Sequence, residues 1–150
     1  MKPHPVHNRQ TLRHIARFRY SLRKFLRFSE RAAREYGLTP QQHQLLLGVA
    51  GYTDRNCATI SELAEFLQER HNSVVELVTR AAKHGLVRKE PGTHDRRQIF
   101  VSLTPRGEEL LSALTTLHRR ELQRLQTGLL APERPTRRLN ASTPQPGKKR

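Results

Sequence analysis

Apolar residues recur at steps of three and four from Thr11 to Tyr36, at Leu12, Ile15, Phe18, Leu22, Phe25, Leu26, Ala32 and Tyr36, with arginines between them. That spacing predicts a long amphipathic helix, which Gly37 ends. Thr39-Pro40 then supplies a capping residue and a first-turn proline for a second helix, from Pro40 to about Gly51, carried by Leu45, Leu46, Leu47 and Val49. TDRNCA follows as a loop. In TISELAEFL, Thr59 and Glu62 have the spacing of a capping box, ahead of the apolar face Ile60, Leu63, Ala64 and Leu67. After a tight turn at Gln68 to Arg70, HNSVVELVTRAAKHG repeats apolar residues at Val74, Leu77, Val78, Ala81 and Ala82 and stops at Gly85, which predicts a fourth helix.

The period then changes. LVRKE (86–90) and QIFVSL (98–103) lean towards strand, with Ile99, Val101 and Leu103 alternating with Gln98, Phe100 and Ser102. The charged, turn-rich PGTHDRR between them makes this a hairpin with a basic tip. Thr104-Pro105 starts a final helix with Leu110, Leu111, Leu114, Leu117, Leu122, Leu125 and Leu129 on its buried side, a spacing that suits a partner helix. Residues 131–150 hold one large aliphatic residue, Leu139, among prolines and basic residues. They bury too little surface to offset the entropy of ordering them, so a disordered basic tail is expected. The fold class expected is mainly α with a small β-hairpin wing (α+β), in one domain.

Charge adds a partner to this picture. The 150 residues carry a formal net charge of +15, more than solubility needs, and nucleic acid is the first candidate for a polyanionic partner. The excess lies at both ends and in 85–107, while 37–84 has an ordinary globular composition. No run approaches the roughly 18 apolar residues of a membrane span, and MKPHPVHNRQ lacks the apolar core of a secretory signal, so a cytoplasmic protein without membrane contact is expected. The single cysteine, Cys57, cannot form an internal disulfide and fits a reducing compartment.

A short helix, a tight turn, a second helix and a two-stranded hairpin come in the order of a winged helix-turn-helix. The second helix of such a pair fits the DNA major groove, where base edges present a readable donor and acceptor pattern, and the hairpin reaches the neighbouring minor groove. On the residues Asp95, Arg97, Leu103, Thr104 and Gly107, with five residues between Arg97 and Leu103, the chain resembles the MarR family of transcriptional regulators, which carries Asp-x-Arg, five residues, then Leu-Thr-x-x-Gly. LTPQQHQLLL, ISELAEFL and LVTRAAKHGLV extend the likeness, which spans roughly residues 10–130.

The resemblance implies a homodimer on double-stranded DNA. Its dimerisation helices would be 11–36 and 105–130, its DNA-binding lobe 40–104, with a flexible N-terminus at 1–10. It also implies two lobes on successive major grooves of a pseudo-palindrome, and release when a small-molecule effector or oxidant binds between the dimer helices and the lobes. Carried over residue by residue, Asp95 would orient a wing arginine through a charge-assisted pair, with Arg97 or Arg96 entering the groove. In the recognition helix the exposed candidates are Arg70, His71, Asn72, Ser73 and Glu76. Asn can bond adenine bidentately, Ser a base or phosphate, and Arg a phosphate or guanine. Glu76, where the family commonly has a basic or neutral residue, either accepts from a cytosine amino group or bonds Arg80 at i+4 and faces solvent.

Other readings compete. The arginine-rich first helix could lie on a membrane or RNA, although its apolar stripe better suits a partner subunit. Eight histidines raise a metal site, but His43 and His118, on helices that could approach each other, lack a ligand at helical spacing beyond Glu121 at i+3, and no metal or other cofactor is expected. No cysteine stands near the start of the first helix, where a peroxide-sensing relative would carry one. There is no Gly-rich phosphate loop, nucleophile motif or HExxH, so the chain is not expected to be an enzyme. The alternatives to a regulator are a non-specific nucleic-acid-binding or architectural protein without an effector, and a relative that keeps the fold as an interaction module.

Overall fold

The computed structural model describes residues 8–130, so the expected basic tail and residues 1–7 lie outside the described residues. The element order is α1 (Arg9–Glu35), α2 (Pro40–Gly51), β1 (Cys57–Thr59), α3 (Ile60–Leu67), α4 (His71–Lys83), β2 (Val87–Pro91), β3 (Ile99–Leu103) and α5 (Pro105–Leu130). α1 begins at Arg9 rather than Thr11, because the Asn8 side chain accepts from the N–H of Gln10 at 3.0 Å and caps the helix there. Gly37 and Gly85 take φ of +78° and +70°, the left-handed conformation that ends a helix at little cost for glycine.

α2 is the centre of the lobe. Gln42, His43, Leu45, Leu46, Gly48 and Val49 are all buried, which covers more than one face of the helix, and α1, α3, α4 and α5 pack around it. Leu63 of α3, Val74 and Val78 of α4, Leu86, Val101 and Leu114 complete a core of fully buried side chains. Each contributes about 1.5–3 kcal/mol by leaving water.

The wing is a three-stranded antiparallel sheet in the order β1-β3-β2, where a two-stranded hairpin was expected. The end of TDRNCA is strand, not loop: Cys57 pairs with Ser102 and Ala58 with Val101. A three-residue strand has no period to read in the sequence, and the pairing is fixed by β3, whose both edges are thereby covered.

α5 departs from its expected burial. Leu111 and Leu114 are buried, but Leu122 and Leu129, placed on the same side with a spacing that suits a partner helix, are 45% and 37% exposed. On α1, Leu12, Ile15, Phe18 and Leu26 are exposed as well. The two long helices pack on each other and leave these apolar residues uncovered in a single chain. Among the described residues no helix is long and apolar enough to cross a membrane.

Where α1, α2 and α5 meet, the His43 and His118 rings stand 4.8 Å apart, with Phe28 and Phe25 edge-on to His118 at 5.4 and 6.0 Å. Glu121 bonds Arg124, and among the described residues no group of three or more His, Cys, Asp and Glu could hold a metal. His43 is 2% exposed. Burial pushes its imidazole down from 6.5 to about 4, and His118 acts in the same direction. The unfolded ring therefore binds a proton before the folded one does. Stability is full above pH 6.5 and is lost as pH falls towards about 4, by roughly 1 kcal/mol at about pH 5.5. Denaturant unfolding at about pH 7.5 and 5.5 should show that loss in the native chain and a smaller one in His43→Phe; equal losses would mean other groups set the slope.

Candidate nucleic-acid interface

The helix pair is joined by a sharp turn. Gln68 takes the left-handed conformation at φ 53°, and the N–H of Glu69 bonds back to Ala64. α2 and α3 each begin with a complete capping box, Thr39 with Gln42 and Thr59 with Glu62. Glu62 is bound further by the Arg55 guanidinium at 2.6 Å, and its carboxyl is held below the usual range, first by the backbone N–H of Thr59. α4 differs from both in its cap, where Arg70 makes no side-chain hydrogen bond, and like α2 it has no acid in its first turn. The orphan N–H groups of this helix start are left open to solvent, with the positive end of the helix dipole behind them.

Around that start the structure places Arg70 at the cap, His71, Asn72 and Ser73 in the first turn and Glu76 in the second, all exposed. Val74, Leu77, Val78 and Ala81 face the core, so the outward face continues through Val75, Thr79, Arg80 and Lys83. Val75, Thr79 and Lys83 were not singled out from sequence, and Arg80 only as a partner for Glu76, although offsets of three, four and seven from Asn72 and Glu76 are the signal that finds them. Glu76 forms no ion pair with Arg80 among the described residues; it faces solvent.

β2 runs beside this helix, and Lys89 Nζ lies 3.5 Å from Thr79 Oγ1. At the hairpin tip the N–H of Gly92 donates to the Gln98 carbonyl at 2.8 Å and the N–H of Gln98 to the Asp95 carbonyl at 3.2 Å. A Cβ on Gly92 would sit 2.5 Å from the Asp95 carbonyl oxygen, so only glycine lets the tip fold back this far. Asp95 does not pair with an arginine side chain, as the resemblance implied. Its Oδ1 accepts from the backbone N–H of Arg97 at 3.0 Å, and the two guanidinium groups form no ion pair with it among the described residues. The carboxylate shapes the turn and leaves Arg96 and Arg97 exposed side by side.

The Leu-Thr-x-x-Gly stretch is a clamp. The Thr104 hydroxyl accepts from the N–H of Gly107 at 3.1 Å and donates to the Gly85 carbonyl, while the N–H of Thr104 donates to the Leu86 carbonyl at 3.1 Å. The Arg106 guanidinium donates to the His84 carbonyl at 3.2 Å. The end of α4 and the base of the wing are therefore fastened to the first turn of α5, and a shift of α5 carries both.

Residues 36–98 match a family model described as the MarR family. Among solved structures, the chain is similar to AbsC, a MarR family transcriptional regulator from Streptomyces coelicolor, at 23% identity and TM-score 0.69 over 88% of this chain and 86% of that one. It is similar to MepR of S. aureus in its DNA complex, at 20% identity and TM-score 0.63 over 73% and 80%. A mutant MarR from E. coli complexed with operator DNA matches at 22% identity and TM-score 0.59 over 74% and 75%. No curated protein sequence matches the chain.

Proposed function

We propose that this chain, whose residues 36–98 match a model of the MarR family, is a sequence-specific double-stranded-DNA-binding transcriptional regulator, a ligand-responsive repressor that occupies a pseudo-palindromic operator as a homodimer. One observation carries the reading: an uncapped, acid-free start to α4 stands in the same lobe as a wing tip that displays two exposed arginines, with Asp95 engaged by the backbone instead. The α4 start receives a backbone phosphate, and Arg70, His71, Asn72 and Ser73 meet phosphates and base edges in the major groove. Arg97 or Arg96, with Asp95 shaping the turn, enters the minor groove, and its neighbour meets the adjacent phosphates. Glu76, free of Arg80, is available to accept from a cytosine amino group.

The exposed apolar residues of α1 and α5 support the homodimer, since a second copy would cover them and space two lobes along one duplex. A cavity of about 360 Å³ between the lobe and α5, lined by Ala50, Asn56, Leu103, Glu108, Leu111, Ser112, Thr115, Thr116 and Arg119, supports an effector that moves one against the other.

The test is selection of binding sites from random duplexes, followed by salt and competitor titration. A regulator prefers its best palindromic site by about 10³ or more over random duplex. Equal affinity for both would leave the non-specific, architectural alternative.

A further inference from the structure

Two neighbouring residues of α2 point in different directions, and each meets a histidine. The Gln42 amide has no freedom to turn over. Its Oε1 accepts from the N–H of Thr39 at 3.0 Å, which leaves Nε2 to donate to His84 Nδ1 at 3.1 Å. A donor facing it obliges Nδ1 to be an unprotonated acceptor. His84 is the C-cap of α4, and its carbonyl holds Arg106 of α5. One residue on, the His43 ring lies tilted, with centroids 4.8 Å apart, against the ring of His118 of α5. That ring is also fixed: Nδ1 lies 2.7 Å from the Leu114 carbonyl, which can only accept, so Nε2 accepts from the Ser29 hydroxyl of α1 at 2.8 Å when the ring is neutral.

We propose that His84 and His43, the latter packed on His118, form a proton-operated latch, which holds α2 and the recognition helix against α1 and α5 while the two rings are neutral and releases them when they are protonated. A proton on His84 turns Nδ1 into a donor facing a donor, and Gln42 cannot answer without giving up Thr39. A proton on His43 puts a charge in the core, against the His118 ring 4.8 Å away. At His118 the Ser29 hydroxyl can turn to accept, but among the described residues no acceptor answers a proton on His84 or His43. Facing His84 are Gln42, Arg106 and the adjacent Lys83; facing the His43–His118 pair are Ser29, Phe25 and Phe28 of α1, and Glu121, one turn along α5, is bound to Arg124. Among the described residues no carboxylate is bonded to any of the three rings.

The sign of the effect separates this latch from simple electrostatics. Protonating histidines adds positive charge, which by itself tightens binding to a polyanion. Opening the latch weakens it. The effect on DNA rests on the regulator reading, whereas the opening is a property of the chain alone, so both are measured on the full chain between about pH 8 and pH 5.5 at constant ionic strength. Amide hydrogen exchange without DNA, corrected for the intrinsic pH dependence, should show protection at residues 39–46 and 80–87 falling about tenfold. Affinity for the best selected duplex should fall by a similar factor.

His84→Asn keeps a carbonyl acceptor for Gln42 but does not titrate, and should lose part of the response; adding His43→Phe should abolish it. His84 is exposed, so the single variant reports even where the double does not fold. Protection that does not change with pH, or a full response retained in His84→Asn, would overturn the latch. If no duplex binds at any pH the regulator reading fails, and exchange still decides the latch.

Discussion

Gly107→Ala should lower the unfolding free energy by about 2–3 kcal/mol, although alanine is the better helix former. Gly107 lies in the first turn of α5, where helix propensity alone favours alanine by up to about 1 kcal/mol. A Cβ there would sit 2.2 Å from the carbonyl oxygen of Leu86. That oxygen is backbone, and it accepts from the N–H of Thr104, so it cannot swing aside as a flexible side chain would. Relief requires α5 to part from the turn between α4 and β2, which costs the Thr104 bonds to Gly85 and Leu86 as well. The clash wins. Gly128, also in α5, has only Ser21 Oγ at 4.0 Å from its Cβ position, so Gly128→Ala should be neutral or stabilising by up to about 1 kcal/mol. Denaturant unfolding of both variants checks the contrast; a Gly107→Ala chain as stable as the native one would mean that the clamp is loose.

The same clamp shows what the sequence could convey and what it could not. Helix limits were legible because they rest on local chemistry: Gly37 and Gly85 end helices, and Thr59 with Glu62 starts one. Asp95 to Gly107 was legible as a pattern, but its physical content was not, since the reason for a glycine at 107 is the carbonyl of Leu86, twenty-one residues earlier. The same limit hid β1, which exists only through β3. It hid the meeting of His43 with His118, seventy-five residues apart. The missing cap on α4 could have been seen, because Arg70 stands where the two preceding helices carry threonine. What covers Leu122 and Leu129 was not legible for another reason: a heptad-like stripe reads the same whether its cover is the same chain or a second one.

Replacing Arg96 and Arg97 together by glutamate should cost at least about a hundredfold in affinity for the preferred duplex and lower the salt slope by about two, one for each guanidinium that no longer meets a phosphate. Stability should change by less than about 0.5 kcal/mol, because both side chains are exposed and the turn is held by the backbone N–H of Arg97. Single alanine variants then separate the two arginines: the one inserted in the minor groove also changes preference among selected sites, whereas one that meets only phosphate weakens all sites alike. Asp95 provides the sharper control. If its role were to pair with a guanidinium, Asp95→Asn would weaken binding almost as much as Asp95→Ala, since both remove the charge. The observed bond needs only an oxygen at Oδ1 to accept from the N–H of Arg97 at 3.0 Å, and asparagine provides one. Asn should therefore keep affinity within about threefold of the native chain, while Ala frees the tip and weakens binding by about tenfold. Equal losses in the two variants would return Asp95 to the charge-pairing role and remove the turn from the mechanism.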